Sequence, residues 1–106
     1  MGFFDFLKSP DIDQGVKEFQ STSGGMLLDV RTPHEYQSGH IHGSVNVPLL
    51  TLGDDNALPT DQNTPLFVYC HSGARSSQAV RLLTRMGYAN TKNIGGIVAY
   101  TGKVEC

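Results

Sequence analysis

Leu66-Phe67-Val68-Tyr69-Cys70-His71-Ser72-Gly73-Ala74-Arg75-Ser76-Ser77 is the stretch on which the reading of this chain turns. Its first five residues, all apolar or aromatic and preceded by Pro65, suit a strand buried on both faces. From Ser76 the period changes: Ala79, Leu82, Leu83 and Met86 fall at i, i+3, i+4 and i+7, with Arg81, Thr84 and Arg85 opposite. This spacing predicts an amphipathic helix from about Ser76 to Met86, ended by Gly87. Between strand and helix, the N–H groups of the loop and the first helical turn have no intrahelical partner and converge on the loop's mouth. Cys70 places a sulfur there. Those donors, the helix dipole and the Arg75 guanidinium favour thiolate over thiol, which makes Cys70 a candidate nucleophile.

Size and composition bound the rest. With 106 residues, 39% hydrophobic and 17% charged, the chain reads as one soluble domain over residues 1–106 with enough core to need neither metal nor disulfide. A formal charge of -2 and the absence of a basic run argue against nucleic acid or an anionic membrane as partner. No apolar stretch approaches the ~20 residues of a membrane span. Residues 1–8 form a short apolar segment that lacks a basic start and a small-residue cleavage site, so they do not read as a signal peptide. Phe6 stands where a myristoylation signal wants Ser or Thr. The segment is expected to pack its phenylalanines on the domain; docking is the alternative. The two cysteines, Cys70 and Cys106, make no disulfide framework, and a cytoplasmic location fits them.

In chain order, Ser9 and Pro10 read as the N-cap and first position of a helix carrying Ile12, Val16 and Phe19 on one face. Met26 to Val30 follows as a short buried strand. Asp29 and Arg31 stand at its carboxyl end, where pockets of α/β sheets form. Pro33 to Tyr36 suits a helical turn or two closed by Gly39, Ser44 to Val47 a strand, and Leu49 to Leu52 a brief helical turn. Gly53 to Thr64 reads as a solvated connection pegged by Leu58, Asn90 to Ile94 as a last strand, and Ile97 to Tyr100 as a short helix after Gly95-Gly96. Alternating strands and helices predict an α/β fold with a mostly parallel sheet covered on both faces.

Three ordered motifs then resemble one family. Leu28-Asp29-Val30-Arg31 with Glu35-Tyr36, then Gly39-His40-Ile41-His42-Gly43-Ser44 and Asn46-Val47-Pro48, resembles the first signature region of the rhodanese (thiosulfate sulfurtransferase) family. Val68 to Ser76 is similar to its active-site loop, and Leu82, Gly87-Tyr88 and Gly95-Gly96 to the segment that follows. Ser44 stands where Ala is common in the family, and Tyr100 where Trp is frequent. The resemblance covers about Pro10 to Lys103. It implies a five-stranded, mainly parallel sheet with helices on both faces, no cofactor, and transfer of a sulfane sulfur through a cysteine persulfide to cyanide or a thiol.

Carried onto this sequence, the resemblance makes Cys70 the sulfur-bearing nucleophile and Arg75 the ligand of an anionic donor. His71, Ser72, Gly73, Ala74 and Ser76 complete the loop around the sulfur, and Asp29 and Arg31 match the family's polar pair near the site. Glu35 and His40 match as structural ion-pair and hydrogen-bonding groups. Four residues separate Cys70 from Arg75. Cysteine-dependent phosphatases have one more and so a wider cradle, which makes phosphatase or arsenate reductase the weaker reading. Expected partners are a small sulfur donor, a thiol or cyanide acceptor, and a protein acceptor as a further possibility. A carrier or regulatory module docking on a protein is the alternative function. His71 either influences the thiolate or caps the loop. His40 and His42 would share a strand face without enough ligands for a metal. Cys106 reads as a mobile terminal thiol, with resolution of a persulfide as its other reading.

Overall fold

The computed structural model describes residues 10–106. Helix α1 (Ile12–Gln20) leads to strand β1 (Met26–Asp29), helix α2 (Pro33–Ser38), strands β2 (His40–Ile41) and β3 (Ser44–Asn46), and a 3-10 segment at Leu49–Asp54. Strand β4 (Leu66–Cys70), helix α3 (Ala74–Arg85), strand β5 (Thr91–Gly96), a 3-10 turn at Ile97–Ala99 and strand β6 (Val104–Glu105) follow. No helix among the described residues is long and apolar enough to cross a membrane.

The central sheet has the order β3-β1-β4-β5, with every pair parallel. The expected fold class is observed, with a different strand count: four strands make the sheet, and β2 and β6 form a separate antiparallel pair. The tight turn at His42–Gly43 divides β2 from β3, which leaves β2 to pair with the C-terminal segment.

β4 is buried along its whole length, and its alternation divides the interior. Leu66, Val68 and Cys70 pack with Leu28, Val30, Ala79 and Leu83 on the α3 side; Phe67 and Tyr69 pack with Ile12, Val16, Leu27 and Ile94 on the α1 side. Each Val, Leu, Ile or Phe among them contributes about 1.5–3 kcal/mol on burial. A one-residue slip of β4 would exchange the two sets, so the same burial that stabilises the sheet decides which face receives the Cys70 sulfur.

Helix boundaries shift from the sequence reading for identifiable reasons. Ser9 lies outside the described residues, as do residues 1–8 and the packing expected of them. Asp11 caps α1: its carboxylate accepts the N–H groups of Asp13 at 3.1 Å and Gln14 at 3.4 Å. Pro10 therefore precedes the helix. α3 begins two residues before Ser76 because Gly73, at φ +104°, turns the chain directly into it. Its end is a Schellman motif, with Gly87 N–H on the Thr84 carbonyl and Tyr88 N–H on that of Leu83, both at 3.0 Å. In β5 a bulge makes Tyr69 pair with Gly95 after Val68 has paired with Asn93. Ile94, the extra residue, turns into the α1-side core and Asn93 stays on the α3 side beside Ser76.

α1 crosses β5 at Gly15, where a Cβ would lie 2.4 Å from the Cβ of buried Ile94. Gly15→Ala is therefore expected to lower stability by about 1–3 kcal/mol through overpacking, read as a lower urea midpoint with an unchanged denaturant slope.

Candidate active site

Strand β4 delivers Cys70 to the carboxyl edge of the sheet with 1% of its surface exposed. Its Sγ accepts the N–H groups of Gly73 at 3.0 Å and Ser76 at 3.3 Å, and the Ser76 hydroxyl lies 3.4 Å away. Burial pushes the thiol up. The Ser76 hydroxyl and the N–H groups of Ser76, Gly73 and Ser72 pull it down by more, so the net direction is below the ordinary cysteine value. Gly96 lets the loop come this close: a Cβ there would lie 2.2 Å from the His71 carbonyl oxygen and 2.5 Å from Ser72 Cα. The His71 carbonyl also accepts the Val98 N–H at 3.1 Å. The side chains of His71, Ser72 and Ala74 are exposed around the mouth, and Ser76 is buried beneath it.

Arg75, at the start of α3, holds Glu35 of α2 with two bonds of 2.7 and 3.1 Å. Glu35 is itself the third residue of a capping box, accepting the Thr32 N–H at 3.0 Å. The Arg75 bonds, with those from Thr32, hold its carboxyl at about 2. Two of the five guanidinium N–H donors are thus committed; the other three make no hydrogen bond among the described residues. Arg75 also lines a cavity of about 470 Å³ whose walls are Val30, Pro33, Pro48, Leu49 and Leu50 with Thr32 and Thr51.

Asp29 and Arg31 take a different place. Arg31 Nη2 lies 2.7 Å from Asp29 Oδ2, its Nε is bonded to both carboxylate oxygens at 3.1 Å, and Nη2 also donates to the Gly39 carbonyl at 2.7 Å. Both side chains are buried, at 7% and 0% exposure, and neither lines the cavity. Asn46 Nδ2 bonds the main-chain carbonyls of both at 3.0 Å. The pair locks the turn from β1 into α2, and α2 presents Glu35 to Arg75. The structure thus brings Cys70, the loop and Arg75 together and sets Asp29 and Arg31 behind them as support.

His40 and His42 bracket Glu105, at 3.8 and 3.0 Å, where β6 meets β2. His40 also bonds the Tyr36 carbonyl at 2.9 Å and stacks on the Tyr36 ring at 3.8 Å. Cys106 is exposed, with its Sγ 3.6 Å from the Ser38 carbonyl.

One residue of the site is absent from the sequence reading. Asn93 Oδ1 lies 2.7 Å from Ser76 Oγ and accepts the Gly95 N–H at 3.0 Å, while Nδ2 donates to the Gly73 carbonyl at 3.3 Å. The available signal was an Asn two residues before a glycine at a strand end, a pattern that marks a side chain bonding its own backbone.

Residues 13–103 match the family model described as the rhodanese-like domain. The chain belongs to the rhodanese-like domain family. Among relatives of this rhodanese domain, the thiosulfate sulfurtransferase PspE of Escherichia coli K12 is 40% identical over 66% of this chain and 68% of its own. The putative sulfur carrier protein YrkF of Bacillus subtilis is 36% identical over 74% of this chain but only 43% of its own. A solved rhodanese with anions from E. coli superposes with a TM-score of 0.63 at 31% identity, covering 76% of this chain and 96% of that one.

The Glu35 pairing has a pH consequence. A carboxyl held at about 2 in the fold, against about 4.3 unfolded, contributes stability above the unfolded value and loses it as pH falls through the folded one. The stability gap between wild type and Glu35→Gln, from urea titrations, is expected to be full near neutral pH and to close progressively toward about pH 2.

Proposed function

We propose that this rhodanese domain is a sulfurtransferase in which Cys70 carries the transferred sulfur and thiosulfate or a persulfide is the donor. The observation that carries this reading is the pair of main-chain N–H donors, of Gly73 and Ser76, at 3.0 and 3.3 Å from one buried sulfur. Such a pair stabilises a thiolate. It equally suits a loop only four residues long between Cys70 and Arg75, which frames one sulfur rather than a phosphate group. The reaction begins with attack of the Cys70 thiolate on the outer sulfur of thiosulfate. A Cys70–sulfur bond forms, the sulfur–sulfur bond of the donor breaks, and sulfite departs with its electron pair. The transferred sulfur keeps the negative charge it carried in thiosulfate, so Sγ becomes neutral and the charge of the loaded form lies on the outer atom. An acceptor, cyanide or a thiolate, then attacks that sulfur and returns Cys70 as thiolate.

Arg75 is proposed to meet the anionic end of the donor with the N–H groups that Glu35 leaves free. His71, Ser72, Gly73, Ala74 and Ser76 form the cradle, while Asp29 and Arg31 hold the frame that supports it. Two cysteines with no disulfide between them suit a reducing compartment, and the cytoplasm is the location proposed. The pairing of Arg75 with Glu35 favours a second reading, a carrier loaded by a protein persulfide, because part of the charge needed for a free anion is already neutralised.

Thiocyanate formation from thiosulfate and cyanide is expected for wild type and not for Cys70→Ser, and the loaded protein should gain about 32 Da, one sulfur. Equal activity of the two proteins, or no labile sulfur on the wild type, would exclude the mechanism. Arg75→Ala should raise the thiosulfate KM about tenfold while leaving sulfur release to a thiol little changed. If KM does not move but a persulfidated protein still loads Cys70, the carrier reading replaces the enzymatic one.

A further inference from the structure

Ser76 carries one hydroxyl proton, and its shortest contact is not with sulfur. Its Oγ lies 2.7 Å from Asn93 Oδ1, 3.0 Å from the Gly73 carbonyl oxygen, 3.5 Å from that of Gly95 and 3.4 Å from Cys70 Sγ. The Asn93 amide is oriented by its other bonds: Oδ1 accepts the Gly95 N–H and Nδ2 donates to the Gly73 carbonyl. Oδ1 is therefore an acceptor, and in the short contact Ser76 is the donor. With its proton on that side, Ser76 Oγ turns only lone pairs toward Sγ. That arrangement suits a thiol, whose S–H can donate, and leaves a thiolate without its hydroxyl partner.

We propose that Asn93 competes with Cys70 for the single Ser76 hydroxyl proton, and that it is thereby a positioning residue favouring the thiol and the sulfur-loaded state over the free thiolate. This rests on the reading of Cys70 as the sulfur-carrying nucleophile. When Cys70 ionises, its own proton leaves to solvent and the Ser76 hydroxyl rotates from Asn93 to sulfur, keeping its proton. A charged acceptor wins that exchange over a neutral carbonyl, but Asn93 Oδ1 is left with the Gly95 N–H alone. Once a second sulfur is bonded to Sγ, the charge sits on the outer atom, and Ser76 returns to Asn93. The opposition from Asn93 is felt only in the unloaded thiolate.

The charged and titratable groups on the elements around Cys70 are Arg75 of α3 paired with Glu35 of α2, the Asp29–Arg31 pair at the end of β1, and His71 in the loop. On β5, Lys92 pairs with Glu18 of α1. None of these side chains bonds Ser76 or Asn93 among the described residues, so an apolar replacement at position 93 changes the proton competition without changing a charge.

The test is the pH dependence of Cys70 alkylation by iodoacetamide, in a Cys106→Ser background that leaves one thiol. Asn93→Leu should move the midpoint down by about 0.5–1 pH unit and Ser76→Ala should move it up. Added to Ser76→Ala, Asn93→Leu should no longer lower the midpoint, because the downward shift acts through the hydroxyl. Asn93→Asp loses the same bond to Gly73 but keeps the acceptor, and should not lower the midpoint. Asn93→Ala gives the same reading as leucine in case leucine does not fit. A residue that merely braces the loop would, when lost, raise the midpoint or shift it equally with and without Ser76; either result overturns the proposal. These midpoints need no sulfur transfer, so they stand or fall separately from the catalytic reading. With sulfur transfer intact, the ratio of loaded to free protein at a fixed thiosulfate-to-sulfite ratio, at a pH where free Cys70 is ionised, should also fall roughly three- to tenfold in Asn93→Leu.

Discussion

A sulfur atom buried at the end of a strand, with main-chain N–H groups aimed at it, is the constraint around which this rhodanese domain is built. Burial by itself opposes a thiolate, so the loop must supply donors from several directions within a few ångströms. That demand accounts for the loop's composition. Gly73 turns the backbone so that its own N–H and that of Ser76 both point at Sγ, and Gly96 leaves the His71 and Ser72 backbone the space to sit where it does. Small side chains here are what close approach requires.

The rest of the fold holds this loop from three sides. β4 supplies the anchor, its alternating burial fixing the face on which Cys70 emerges. β5 supports the loop from below through Asn93, which bonds the Gly73 carbonyl, Ser76 and the Gly95 N–H together, and which shares the α3 side with its partner Val68. α2 approaches from the flank and pairs Glu35 with Arg75, its own position set by the buried Asp29–Arg31 pair. Charges near the site thus divide into the buried Asp29–Arg31 pair and the partly exposed Glu35–Arg75 pair.

Two opposed uses of polar groups meet at Ser76. Its hydroxyl helps to stabilise a sulfur anion, yet its shortest bond is to a neutral carbonyl oxygen. The hydroxyl is thus shared between the sulfur and the frame of the loop, which is the competition proposed above for Asn93.

What the sequence determined by itself was local and periodic. The buried β4, the amphipathic α3, the cysteine at their junction and the alternation that makes a parallel sheet are all written in patterns a few residues long. Neighbour chemistry was legible too where a motif carried it, as with Glu35. The strand count, the partner of Asp29 and Arg31, and the part played by Asn93 were not. Each depends on residues brought together by the fold: β2 finds β6 across the chain, Arg31 finds the Gly39 carbonyl, and Asn93 reaches Ser76 because β5 pairs with β4 so that Asn93 stands opposite Val68. A charged residue at a strand end looks the same in sequence whether it faces solvent or a buried partner. Only packing decides, because burial leaves its polar atoms no partner except the ones the fold brings to them.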